Sequence, residues 1–161
     1  MAVTADIGAT YRGPARVMQR LLSAGQREDR ALLLLMAFCG LTFVAQLPRL
    51  SREAHLTGQD LNPLMGGALL AWVVIAPLAF YALAALSHLV ARAFGGRGTW
   101  YGARLALFWS LLASVPVLLL YGLVSGLIGP GPSQQAVGAA WIGVFLWFWV
   151  ASLRAAERPA S

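Results

Sequence analysis

Residues 105–153 read LALFWSLLASVPVLLLYGLVSGLIGPGPSQQAVGAAWIGVFLWFWVASL, a stretch of 49 residues without Asp, Glu, Lys or Arg. A helix of about 20 apolar residues crosses the hydrocarbon core of a bilayer, so this stretch is long enough for two such helices. The Gly/Pro-rich segment at residues 129–132 interrupts it and is typical of a tight turn. The stretch therefore predicts two membrane-spanning helices joined by a short connection.

The rest of the 161-residue chain has the same character. Residues 31–48 and 61–91 also lack charged side chains, and the whole chain is 59% hydrophobic and 11% charged. Soluble domains are about one-quarter charged, which excludes an ordinary soluble enzyme, a nucleic-acid-binding domain and a disordered protein. The net charge of +6 lies in short flanks, where lipid head groups are the nearer anions, so we expect no nucleic acid partner.

We predict an all-α membrane protein: a four-helix transmembrane bundle with a short N-terminal amphipathic helix. The predicted parts are a cytoplasmic tail at 1–30, a transmembrane domain at 31–153 with spans at about 31–47, 64–94, 103–128 and 136–153, and a cytoplasmic tail at 154–161. Pro48 and Arg49 are expected to end the first span. Pro77 and Pro116 lie near the middle of the second and third spans and are expected to kink them.

The arginines predict the orientation of these spans. Ten fall on one face of the predicted topology and two, Arg49 and Arg52, on the other, which is a positive-inside pattern. We therefore expect a multi-pass protein of the bacterial inner (cytoplasmic) membrane with cytoplasmic N and C termini. The lipid bilayer is then its expected partner. The ten comprise the predicted membrane-surface set Arg12, Arg16, Arg20, Arg92, Arg97 and Arg104, together with Arg27, Arg30, Arg154 and Arg158.

The amphipathic helix is predicted at residues 15–24, with Pro14 at its first position and Gly25 at its end. Val17, Met18 and Leu21 share one face, and Arg12, Arg16 and Arg20 line the opposite one. This arrangement suits a helix that lies in the head-group layer or docks a partner. A simple lead-in to the first span explains it equally well.

Candidate chemistry is sparse in the predicted spans, whose polar side chains are mostly hydroxyls that can bond to their own helix. His88 is the exception, but His55 is predicted on the opposite face, so the two cannot ligate one metal within a monomer. We expect His88 to bond to a neighbouring helix, with a ligand or proton carrier as the alternative. We expect no catalytic residue, cofactor or metal, and we expect residues 95–98 to be a flexible connector.

Small residues predict where helices approach closely. Gly122 and Gly126 form a Gly-x-x-x-Gly pair in the third span, and Ala139 with Gly143 forms a similar pair in the fourth. This spacing favours packing of the third span on the fourth, or a homodimer. The four aromatic residues at 145, 147, 148 and 149 are expected to anchor the inner end of the fourth span, with contact to a pigment, quinone or partner helix as the alternative.

Residues 98–109 (GTWYGARLALFW) followed by residues 110–116 (SLLASVP) resemble bacterial membrane proteins of the Yip1 family. In that family a glycine-rich cytoplasmic loop and an aromatic residue lead into a span with a central proline. Residues 82–88 (ALAALSH) and 27–30 (REDR) are similar in kind to short members from GC-rich bacteria, and the resemblance extends over about residues 25–155.

The resemblance implies a fold and a membrane location with little activity attached. Eukaryotic members are multispanning proteins of early secretory membranes that associate with small GTPases, but no residue of this chain matches a position that would carry that binding. We therefore expect a non-catalytic scaffold or accessory subunit that packs against itself or a larger membrane complex. A small oligomeric transporter or channel is the alternative, and a membrane enzyme ranks third.

Overall fold

Every regular element within residues 3–157, the part of the chain that the computed structural model describes, is a helix. The expectation of an all-α fold is confirmed for these residues. In chain order the helices are α1 (Val3–Thr10), α2 (Pro14–Ser23), α3 (Glu28–Thr57), α4 (Leu61–Leu70), a π-helical turn (Ala71–Ile75), α5 (Ala76–Ala93), α6 (Trp100–Ala113), α7 (Val115–Leu127) and α8 (Pro132–Glu157).

Three helical segments are long and apolar enough to cross a membrane: α3, the continuous segment Leu61–Ala93 and α8. The pair α6 and α7, which is bent by 46°, makes a fourth if the two count as one broken span. We call the end of the molecule with α1, α2 and the α5–α6 loop the proximal end. The end with the α3–α4 and α7–α8 loops is the distal end.

Helix α3 runs beyond the bounds expected for the first span. Pro48 does not end it at residue 47; the helix continues to Thr57 and ends at Gly58, whose φ of 70° suits a glycine. Pro48 packs instead against Gly126 of α7, where an added Cβ would lie 2.7 Å from the Pro48 carbonyl carbon. The proline costs α3 one backbone hydrogen bond, and this contact with α7 offsets part of the loss.

The second predicted span, at 64–94, corresponds to the segment Leu61–Ala93. Its irregular part is the π turn Ala71–Ile75, which directly precedes Pro77 in the first turn of α5. Proline has no backbone N–H to donate to the preceding turn, and a wider π turn accommodates that missing bond. The irregularity expected at Pro77 therefore lies just N-terminal to it.

The third predicted span, at 103–128, is two helices rather than one. Helix α6 begins at Trp100, where the Thr99 hydroxyl accepts a hydrogen bond from the Gly102 amide at 3.0 Å. It ends at Ser114, and α7 follows with Pro116 in its first turn, a position where a missing N–H costs nothing. The 46° bend lies at this junction.

Helix α6 forms the centre of the core. Its side chains from Tyr101 to Ala113 are buried, Arg104 excepted, because α1, α3, α5 and α8 all pack on it. Arg104 is half-buried and pairs with Glu28 at the start of α3, with 3.2 Å between its Nε and Oε2 of Glu28. One helix is thus covered on all sides by protein, which the uniform hydrophobicity of the chain did not indicate.

Helix α2 has nearly its predicted bounds, but it is half of a hairpin with α1, which was not predicted. Its apolar residues Val17, Met18 and Leu21 are buried, because α2 packs along α8. The apolar face therefore packs on protein within the chain. It does not face the head-group layer, which was one of the roles expected from the sequence. The basic face, with Arg12, Arg16 and Arg20, is left exposed.

Polar contacts hold the hairpin against the core. The Tyr11 hydroxyl donates to the Ala113 carbonyl at 2.8 Å, and the Trp109 indole N–H donates to the Thr10 hydroxyl at 3.1 Å. The Tyr11 ring also meets Phe148 of α8 edge-on, with 4.8 Å between ring centroids. Burial raises the pKa of the Tyr11 phenol above its usual value, so the donor stays protonated.

Helix α8 is longer than the predicted fourth span. It starts at Pro132 instead of residue 136 and continues to Glu157 instead of ending at residue 153. The first residues of the predicted C-terminal tail are therefore the last turn of a helix. Arg158, which the sequence assigned to that tail, lies outside the described residues.

Candidate functional site

A cavity of about 400 Å³ lies in the distal half between α3, the π turn, α5, α7 and α8. Aromatic and aliphatic side chains form most of its wall, notably Phe38, Trp72, Phe80, Leu118 and Trp141. The volume is within the range of pockets that hold small organic molecules. The cavity is therefore the first candidate for a binding site.

Thr42, Gln46, Arg49 and Ser125 also line this cavity, and each of these four side chains has a hydrogen-bond partner. Thr42 bonds to the Phe38 carbonyl, and Ser125 accepts from Gln134 at 2.9 Å. Gln46 accepts from Arg49 at 3.1 Å, and Arg49 also pairs with Glu53 at 3.3 Å at the exposed distal end. The cavity is thus an apolar chamber with a cation and an amide at one end, which suits an amphipathic molecule.

Glycines and the α6–α7 bend create this space. Gly122 lies against the Ala45 backbone of α3, and Gly138 on α8 lies beside the Tyr121 ring, where an added Cβ would come within 3.1 Å. The bend at Ser114 directs α7 toward α3, and Trp141 spans the gap by donating to the Ser114 hydroxyl at 3.0 Å. The two glycines thus let the Ala45 backbone and the Tyr121 ring approach closely beside the chamber.

A second cluster lies at the proximal end around His88. His88 is buried in α5, and its Nδ1 lies 3.0 Å from Oε1 of Glu157 in the last turn of α8. The Trp100 ring packs against the imidazole at 4.4 Å between centroids. The sequence predicted a hydrogen bond from His88 to a neighbouring helix, and α8 provides it.

Glu157 also fixes the loop between α5 and α6. Its Oε2 accepts from the Gly98 amide at 2.8 Å, and its carbonyl oxygen accepts from the Arg97 amide at 3.0 Å. An added Cβ at Gly96 would lie 2.7 Å from Glu157 Oε2, so the glycines let the loop approach the carboxylate. Within residues 95–98, the amides of Arg97 and Gly98 are therefore bonded to α8. This arrangement does not fit the expectation of a flexible connector.

Sequence reasoning missed Glu157 as the partner of His88. The two residues are 69 positions apart, so no local pattern connects them. One signal was present in the sequence. Glu157 is the first acidic residue after Asp60, and it follows the predicted fourth span in a segment whose other charged residues are arginines. An isolated carboxylate in such a position is a candidate for a buried pair.

The predicted packing residues separate into two groups. Gly122 and Gly126 contact α3 at Ala45 and Pro48. The sequence had suggested α8 or a second molecule as their partner, and neither is observed at these positions. Ala139 and Gly143 lie on the exposed face of α8, and an added Cβ at Gly143 would meet nothing within 4 Å. Only the second group is open to an outside partner.

The aromatic residues of α8 have distinct surroundings. Trp141, Phe145 and Trp149 stack one turn apart, with ring centroids 5.7 and 5.5 Å apart. Phe148 is fully buried under Tyr11, whereas Trp147 is half-exposed. The cluster expected to anchor the helix end therefore divides between core packing and the outer surface.

The predicted basic residues share the proximal end but not one surface. Arg92 and Arg97 are exposed in the last turn of α5 and the loop that follows, while Arg104 pairs with Glu28. Arg12, Arg16 and Arg20 line a separate groove on the α1–α2 hairpin. Among residues 3–157, no group of three or more His, Cys, Asp or Glu side chains is arranged to hold a metal ion.

Comparisons with known proteins do not add to this description. No family model matches the chain, and neither a curated protein nor a solved structure matches it. The class of protein that the fold defines is an all-helical chain with three, or up to four, helices suited to crossing a membrane. The resemblance to the Yip1 family stays a prediction from the residues quoted above.

Proposed function

We propose that the chain is a four-span inner-membrane protein whose proximal end faces the cytoplasm. The spans would be α3, α4 with α5, α6 with α7, and α8. This orientation is supported by the arginines, because those of α2, the α5–α6 loop and the end of α8 lie at the proximal end. Arg49 and Arg52, near the distal end of α3, are the two exceptions.

Within this membrane, its function would be that of a non-catalytic, Yip1-like scaffold or accessory subunit that packs against a second copy of itself. The exposed face of α8 carries this proposal. Ala139 and Gly143 lie there, with Ile142, Leu146 and Val150 exposed around them. Small residues four apart let two helix backbones approach closely, which drives association where lipid removes the hydrophobic drive.

The test is the assembly state of Gly143→Ile in a mild detergent and in liposomes, measured by single-molecule photobleaching. We expect the wild type to form dimers and the variant to be mainly monomeric. Gly66→Ile is the matched control, because Gly66 is also exposed with nothing within 4 Å of an added Cβ, but on α4. A monomeric wild type, or a dimer unaffected by Gly143→Ile, would contradict self-association, and a stable co-purifying membrane protein would replace the second copy as partner.

Gly122→Ile is not a suitable test of this proposal. An added side chain there would overlap the Ala45 carbonyl of α3 within the same chain. Loss of assembly in that variant would therefore report a damaged fold and not a lost dimer contact.

A second candidate, a small transporter or channel that works as an oligomer, is favoured by the distal cavity. Its apolar wall and the Arg49–Gln46 pair would hold an amphipathic substrate. Flux or ligand-dependent stabilisation in liposomes that is lost in Leu118→Trp, which would place a larger side chain in the cavity wall, supports this candidate. Unchanged flux in that variant counts against it.

A further inference from the structure

We propose that the α1–α2 hairpin binds the head group of an anionic phospholipid in the groove between its two helices. The groove has a volume of about 650 Å³ and is lined by Arg12, Arg16 and Arg20 on one side and by Ala5 and Gly8 on the other. The proposal depends on the membrane location proposed above, but it does not depend on self-association.

The arginines form a ladder along the hairpin. They are four residues apart, so they lie on one side of α2 and of the turn that precedes it. Arg20 pairs with Asp6 of α1, whereas Arg12 and Arg16 have no acidic partner within 4 Å among residues 3–157. Two guanidinium groups are therefore available to an outside anion, and their planar donors match the oxygens of a phosphate.

The opposite wall lets a phosphate approach. Ala5, Gly8 and Ala9 of α1 carry the smallest side chains, and an added Cβ at Gly8 would meet nothing within 4 Å. The hairpin is also held in place, because Val17 and Met18 are buried and Tyr11 bonds to Ala113. The groove is thus preformed, and binding needs no reordering of the two helices.

The depth of the hairpin favours a lipid over a soluble anion. The turn of the hairpin contacts Trp109 and Ala113 of α6. These two residues lie five and nine positions after Arg104, which is roughly 7 to 13 Å along the helix axis at about 1.5 Å per residue. Arg104 and the Glu28–Arg30 segment lie at the charged level that precedes the apolar stretches. Arg16 is one turn of α2 nearer to this level than Arg12, so it would lie closest to the head-group layer. Arg12 would extend along the groove toward the same layer, where lipid phosphates are concentrated.

Native mass spectrometry of the full chain in detergent, titrated with phosphatidylglycerol or phosphatidylcholine, tests this proposal. We expect preferential binding of phosphatidylglycerol, and a loss of at least about tenfold in affinity in Arg12→Gln/Arg16→Gln, since each lost charge-assisted contact to the phosphate costs about tenfold. The matched control, Arg27→Gln/Arg30→Gln, removes the same charge from the neighbouring segment outside the groove and is expected to lose less than about threefold.

Three further arms make the result decisive. Arg12→Lys/Arg16→Lys keeps the charge but removes the planar donors, so it is expected to bind more tightly than the glutamine variant and less tightly than the wild type, while hydrogen exchange of α1 and α2 must stay unchanged in every variant. Inorganic phosphate at 10 mM, a chosen excess, is expected not to displace the lipid; displacement would identify a site for free anions instead. Equal losses in the groove and control variants, or equal binding of both lipids, would overturn the proposal, whereas cell fractionation separately tests the membrane location.

Discussion

The proximal and distal halves of the protein are packed in different ways. In the proximal half α6 is covered on all sides, and large side chains such as Trp109, Phe108 and Phe148 are fully buried. In the distal half no residue of α4 or of the π turn is buried, and a cavity of about 400 Å³ separates α7 from α5. The short α1–α2 hairpin accounts for much of this difference, because it completes the cover of α6.

This difference indicates what each half requires. The proximal core is closed by the chain itself, with buried polar groups paired across helices. The distal half presents apolar surface and an open chamber that residues 3–157 leave uncovered. Substitutions should therefore be costly near the hairpin and tolerated on the distal and outer surfaces.

The largest effect is expected for Trp109→Ala. Trp109 is 1% exposed and donates to Thr10, so its loss leaves a cavity under the hairpin and removes a hydrogen bond between the hairpin and α6. We expect the free energy of unfolding in detergent to fall by about 3–5 kcal/mol. Trp147→Ala, at a half-exposed site on α8, should change it little; equal losses in the two variants would contradict the comparison.

Gly126→Leu should have the next largest effect, and it tests a tight contact between α3 and α7 in the distal half. A side chain there would collide with Pro48 of α3, and we expect a loss of about 2–3 kcal/mol in thermal or denaturant unfolding. Gly66→Leu places the same side chain in open space on α4 and should be nearly neutral for stability. A neutral Gly126→Leu would show that α3 and α7 are less closely packed than described.

Glu157→Ala should loosen the proximal end locally. It removes the partners of His88 and of the Gly98 amide, each of which is then left unsatisfied, at a cost of about 2 kcal/mol. Hydrogen exchange of residues 94–100 should increase, while exchange of α7 stays as in the wild type. Arg154→Ala, in the same last turn but exposed, is the control, and an unchanged loop would refute the role given to Glu157.

Tyr11→Phe should have the smallest effect, about 1 kcal/mol, because it removes one hydrogen bond and keeps the ring against Phe148. Amide exchange in α1 should rise while the rest of the core is unaffected. Tyr121→Phe, in the wall of the distal cavity, provides the comparison. An equal rise in both variants would mean that the hairpin is not held by the Ala113 contact.

The sequence predicted the helical class and the approximate location of the long helices, because charge-free stretches of spanning length leave few other folds. It did not predict α1, whose eight residues show no strong apolar face. Nor did it predict the break at Ser114, since Pro116 alone does not say whether a helix kinks or ends. Local rules also failed at Pro48, where contact with Gly126 sustains the helix that the proline was expected to end.

The candidate sites were harder to predict than the fold. The spacing of Gly122 and Gly126 correctly indicated a close helix contact, but a small-residue spacing does not specify which helix approaches. The pairing of His88 with Glu157 and the distal cavity both depend on which helices become neighbours. Neither could be obtained from periodicity, because each joins residues that are far apart in the chain.

The burial of Phe148 and Glu157 has a consequence for biosynthesis. Both residues belong to the last helix, yet they contact Tyr11 in the first hairpin and the loop before α6. In the membrane location proposed above, the earlier helices would insert one after another while the chain is still being synthesised. The hairpin and α6, however, have no complete packing surface until α8 has left the ribosome, so the best-packed part of the molecule is the last to assemble.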